Sequence, residues 1–161
     1  MSSSIRREIA RLVFSERWAA LASIDAGRPL ASMVAYAAEP GLEGLLLFLS
    51  GLSQHTRNLA TDGLASLVVS APDTGEGDPQ TLPRVSLNGR ALVVARNDPA
   101  FDAAAARYVA RFPAAASRFG LGDFLLFRFV VDDARYVGGF ARAVSLSGDD
   151  LREAARDEQA G

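Results

Sequence analysis

A chain of 161 residues, 49% hydrophobic and 22% charged, has the size and composition of one globular domain, 1–161, able to bury roughly 70% of its unfolded surface. A formal net charge of -2 argues against a duplex nucleic-acid binder, which normally presents a basic face. The absence of cysteine and the single histidine exclude disulfides, thiolate chemistry, iron–sulfur clusters and multi-histidine metal sites.

The segment MSSSIRREIARLVF places Ile5, Ile9, Leu12 and Val13 on one helical stripe and lacks the continuous apolar centre of a signal peptide. No apolar run reaches the roughly 20 residues of a membrane span, so the expectation is a cytoplasmic protein with no membrane partner. The period then changes. Trp18–Asp25, Leu30–Ala37, Gly44–Ser50 and Leu64–Ser70 read as antiparallel strands separated by the turn signals Asp25-Ala26-Gly27-Arg28-Pro29 and Glu39-Pro40-Gly41. Between the last two strands lies SGLSQHTRNLATDG, residues 50–63, with Ser53 placed to cap a short helix and Asp62-Gly63 to end it. Residues 71–83, rich in proline and glycine, read as a surface loop.

A long strand follows over Arg84–Arg96, and its apolar parity switches across Asn88-Gly89, which predicts a bulge or a tight turn. Asp98-Pro99 opens a helix that runs to about Phe112 before Pro113 stops it. Phe124–Asp133 and Arg135–Val137 return to strand, Gly138-Gly139-Phe140 breaks it, and the tail from Asp149 favours helix. About six strands with two or three helices predict a mainly β (α+β) protein, a small closed or nearly closed antiparallel barrel with flanking helices; periodicity alone does not separate that from a sandwich.

The chemistry concentrates at residues 50–58. The first turn of a helix normally favours acidic side chains, because its free N–H groups carry positive potential. Here that turn is Gln54-His55-Thr56-Arg57, with no carboxylate and an added cation. Helix N–H groups, the Ser53 and Thr56 hydroxyls, His55 and Arg57 are therefore candidates to converge on a phosphate. Each also has an ordinary reading: His55 as a half-buried histidine satisfied by a carbonyl, Arg57 as a solvated charge, Asn58 as a backbone cap, Ser32 as an outward-facing strand residue. A serine–histidine nucleophile from Ser50 or Ser53 with His55 lacks a G-x-S-x-G elbow and an assignable third group. Asp132-Asp133 and Asp149-Asp150 fall at a strand end and a helix start, where solvation and capping account for them.

Together, ALASIDAGRPLASMVAY (20–36), LLLFLSGLSQHTRNLATDGLASLVV (45–69), RVSLNGRALVV (84–94) and RYVGGFARAVSL (135–146) resemble the flavin-binding split-barrel proteins related to pyridoxamine 5'-phosphate oxidase, and most of all their haem-utilisation branch. The resemblance runs from Trp18 to about Leu146. It implies a six-stranded antiparallel split β-barrel, a homodimer with FMN at the subunit interface, and a flavin-dependent oxidoreductase acting on a small-molecule substrate. The alternative it carries is a non-catalytic flavin- or haem-binding utilisation protein. Ala31, Ser32, Met33 and Val34 would line the isoalloxazine ring, Ser50 the ribityl chain, and His55 and Thr56 the phosphate, with Arg57 and Asn58 in support. Arg84 would reach the flavin from the partner subunit.

The chain departs from that pattern in three places. The oxidases' arginine–lysine pair at the phosphate is His55-Thr56 here, their substrate-binding basic residues have only Arg142 as a counterpart, and no histidine follows position 55 to match the C-terminal haem ligand of the haem-degrading members. In a flavoenzyme the cofactor performs the redox step, so no catalytic side chain is expected.

Overall fold

Asp25 and Arg28 pair across a two-residue turn whose central residues, Ala26 and Gly27, have φ of 48° and 79°. Positive φ at both positions matches the twist of the flanking strands and closes a tight hairpin. The computed structural model describes residues 3–139 and 142–160. Phe140, the last residue of the expected Gly-Gly-Phe break, lies outside them. The elements are α1 (Ser3–Ser15), β1 (Trp18–Asp25), β2 (Arg28–Ala35), β3 (Ala37–Ala38), β4 (Leu45–Ser50), α2 (Gln54–Thr61), β5 (Leu64–Ser70), β6 (Arg84–Val93), α3 (Phe101–Arg111), β7 (Phe124–Val137), β8 (Ala143–Ser147) and α4 (Gly148–Ala160).

The strands form one antiparallel sheet in the order β2-β1-β5-β6-β7-β4-β3, with β8 on β7. The six expected strands are present, joined by the short β3 and β8. The two expected segments at 124–133 and 135–137 are a single strand, β7, whose first half pairs with β4 and second half with β8. The parity switch at Asn88-Gly89 is a bulge: Asn88 faces Asp133 while Gly89 faces Val131. Gly89 is required there, because a Cβ would collide with the Val130 carbonyl oxygen.

β4 reads as a continuous apolar run because both its faces are buried. Leu45, Leu47 and Leu49 enter the barrel core with Leu21, Leu67, Leu87, Phe127 and Phe129. Leu46 and Phe48 enter a second core beneath α3 and the 3-10 helix Pro113–Gly120, where the Phe48 ring stacks on Phe119 at 3.7 Å between centroids. Pro113 ends α3, as expected, but the chain continues as 3-10 helix rather than coil. Asp98 does not cap α3 itself. It accepts from the Ala100 N–H at 2.8 Å, one turn before the helix begins at Phe101.

The C-terminal segment is a packed helix. Leu151, Ala154 and Ala155 of α4 are buried in the barrel core alongside α1, and Arg6–Glu153 and Arg11–Glu158 ion pairs, both 2.9 Å, bridge the two helices. Among the described residues, no helix is long and apolar enough to cross a membrane.

Replacing Gly89 with alanine should lower unfolding stability by about 2 kcal/mol or more in urea titrations, since the backbone of β7 cannot retreat. Gly120→Ala, where nothing lies within 4 Å of an added Cβ, should change it by less than about 0.5 kcal/mol.

Candidate functional site

Among the described residues, β2 pairs with no strand but β1 and leaves its other edge free, beside β4 across the split in the barrel. The C-terminal end of β4 carries Ser50 and leads through Gly51 to Ser53 into α2. The free edge of β2 and the start of α2 are therefore the two places where the expected site residues lie.

α2 is pinned against the barrel by its own polar side chains. Asn58, buried at its centre, donates to Ser23 Oγ of β1 at 3.1 Å and accepts from Gln54 Nε2 at 2.8 Å. Ser23 sits at the inward parity of β1 with Ala19 and Leu21, so this polar pair closes one side of the core. Thr56 and Leu59 complete the buried face of α2. Ser53 occupies the N-cap position with extended backbone, yet its side chain makes no capping bond. The first turn thus keeps its free N–H groups.

Among the described residues, two hydroxyls are buried with no hydrogen-bond partner: Thr56 Oγ1, in that first turn, and Ser32 Oγ, on β2. An unpaired buried hydroxyl is costly, and its cost is recovered when a ligand supplies the partner. On this test both residues fit a bound polar group. Burial holds the half-buried His55 imidazole below its ordinary pKa, so its neutral form dominates at pH 7.

The arginines behave otherwise than expected. Arg57 is exposed and folds back on the loop, donating to Leu52 O at 2.7 Å, Gly51 O at 3.4 Å and Gln54 Oε1 at 2.6 Å. Arg84 donates to Gln80 O at 2.8 Å and Leu82 O at 3.2 Å. It lies on β6, three strands from β2 in the sheet order, so one subunit does not bring it to the others. Asn58 holds the helix in place, and Ser50 Oγ accepts from the Leu52 N–H at 3.3 Å.

The four positions of β2 alternate. Ser32 and Val34 pair with Leu21 and Ala19 on the inward face, while Ala31 and Met33 pair with Ala22 and Ala20 on the outward face. Gly138 lies against the Tyr136 ring and its N–H donates to Arg142 O at 2.9 Å, just beyond the end of β7.

Sequence reading missed Ser23. Its signal was available: a serine at the inward parity of an otherwise apolar strand.

An antiparallel sheet curled into a barrel and left open beside one edge strand is a split barrel, and this one leaves one hydroxyl unsatisfied on that edge strand and another in the first turn of α2. The chain belongs to the family described as CREG, beta-barrel, whose model matches residues 6–151. It is 29% identical over 133 residues to the heme oxygenase HutZ of Vibrio cholerae, covering 81% of this chain and 74% of that protein. It is 32% identical over 127 residues to the non-canonical heme oxygenase HOZ of the Arabidopsis thaliana chloroplast, covering 79% of this chain but 37% of that one. A solved heme binding protein from Mycobacterium smegmatis superposes with a TM-score of 0.83 at 30% identity, covering 95% of this chain and 61% of that one. The resemblance to the haem-utilisation branch is therefore upheld.

Thr56→Val should leave the ligand-free protein as stable as wild type or more so, whereas Asn58→Ala should cost about 1–3 kcal/mol in urea unfolding, because it strands Ser23 and Gln54. His55 sets a pH dependence. Its folded-state pKa lies below the unfolded value of about 6.5, so its contribution is complete above that pH and is lost as pH falls through the folded pKa. The stability difference between wild type and His55→Gln should accordingly shift against wild type between pH 7.5 and pH 5.

Proposed function

We propose that the protein binds haem at the free edge of β2 and the start of α2, as a homodimer, and serves in haem utilisation. The observation that carries this reading is the charge state of the α2 start. A phosphate needs cations, yet Arg57 and Arg84 both turn Nη1 to the protein's own backbone carbonyls and His55 is neutral. A broad, mostly apolar ligand whose anionic groups remain in solvent suits such a site better than FMN. The names of the Vibrio, Arabidopsis and Mycobacterium proteins support the same choice. Bound haem would supply one-electron and oxygen chemistry, and the chain's own part is to position it and to exclude water.

The dimer reading rests on the outward face of β2, β1 and β5. Met33, Ala20 and Val68 are directly paired across the three strands, with Trp18 beside them. Trp18 is 54%, Met33 45% and Val68 37% exposed. A contiguous apolar patch of this kind on a sheet face marks an interface.

FMN is the second reading, favoured by the uncapped start of α2 and the unpartnered Thr56 hydroxyl, both of which a phosphate would satisfy. On that reading the protein is a flavin-dependent oxidoreductase.

Titration of the purified chain with hemin, followed in the Soret region, should saturate at one haem per chain, while FMN fluorescence stays unquenched at equal concentrations. Stoichiometric FMN binding without a Soret change would establish the second reading instead. The double variant Met33→Glu, Val68→Glu should run as a monomer in gel filtration with light scattering and keep its circular dichroism; an unchanged dimer would reject this face.

A further inference from the structure

Resting on the haem reading above, we infer that His55 is the residue that ligates the haem iron. The donors available to an iron in this chain are few. There is no cysteine. Met33, the one thioether among the described residues, points to the outward face of β2, opposite to the buried hydroxyl of Ser32. Burial raises the pKa values of Tyr36, Tyr108 and Tyr136, so they stay phenols rather than iron-binding phenolates. Tyr36 and Tyr136 are moreover committed, to Val13 O at 2.7 Å and to Glu8 Oε1 at 2.5 Å.

His55 is uncommitted: no hydrogen bond to either ring nitrogen occurs among the described residues, and burial is what lowers its pKa. A neutral imidazole is the form that binds a metal. Its position is equally suitable. His55 stands four residues before Leu59, so the two share a helix face, and Leu59 is buried in the barrel core. His55 therefore continues the buried stripe of α2 into its first turn, next to Thr56 with its unpartnered hydroxyl. The Asn58–Ser23 and Asn58–Gln54 bonds fix the helix that presents it. A ligand needs such a rigid support to hold a metal against exchange.

A single histidine makes the test direct. Resonance Raman spectroscopy of the ferrous haem complex, prepared with ordinary and with 15N-histidine-labelled protein, reports the iron–nitrogen stretch of this one residue. The expected result is a stretch that shifts to lower frequency on labelling. His55→Ala should lose that band, bind hemin at least about tenfold more weakly, and regain a nitrogen-ligand spectrum when free imidazole is added. A wild-type complex whose spectrum ignores the label, or a His55→Ala protein with unchanged Soret band and affinity, would overturn the assignment while leaving haem binding intact. A wild-type chain that binds no hemin at all would overturn both.

Discussion

The hydrogen bond from Asn58 to Ser23 fixes the geometry on which the candidate site depends. An amide and a hydroxyl with only 4% and 1% of their residues' surfaces exposed are tolerable in a core only when each satisfies the other. Together with the Gln54 side chain they lock α2 onto β1, and this lock holds His55 and Thr56 in place. Without it, α2 would have only Leu59 and Thr56 to bury, too little for a helix of eight residues to keep its orientation.

The second constraint is β4, buried on both faces. Its odd residues complete the barrel and its even residues hold α3 and the following 3-10 helix through the Phe48 stack on Phe119. Such a strand must leave the sheet abruptly, and the polar stretch at its exit is the way it does so. The Gly51 N–H donates to Asp123 O, which ties that exit to the chain just before β7.

Much of this was legible in the sequence. Alternating runs gave β1, β2, β5 and β6, the Asp25–Arg28 turn gave the first hairpin, and the parity switch at Asn88-Gly89 gave the bulge. These are local signals, set by the side-chain period and by backbone φ preferences. β3, β8 and the unbroken course of β7 were not legible, because pairing with a distant strand rather than local pattern sustains them. The polar surface of α4 gave no warning that Leu151, Ala154 and Ala155 would complete the core against α1.

For the site, the sequence located the cluster at 50–58 but not the work each residue does there. Hydrogen-bonding side chains look alike until their partners are known. Arg57 and Asn58 were natural candidates for an anion, and folding instead gives them carbonyls at Gly51 and Leu52 and a serine at Ser23. The hydroxyls left unpaired after folding, Thr56 Oγ1 and Ser32 Oγ, single out β2 and the start of α2 more sharply than the presence of polar residues does.

Amide hydrogen exchange with and without hemin tests the central claim most directly, because it reports the whole backbone without assuming where a ligand sits. The account predicts slowed exchange in two separated segments, the free edge at 29–35 and the α2 start at 51–57. Slowed exchange confined to other strands, with these two segments unchanged, would contradict it.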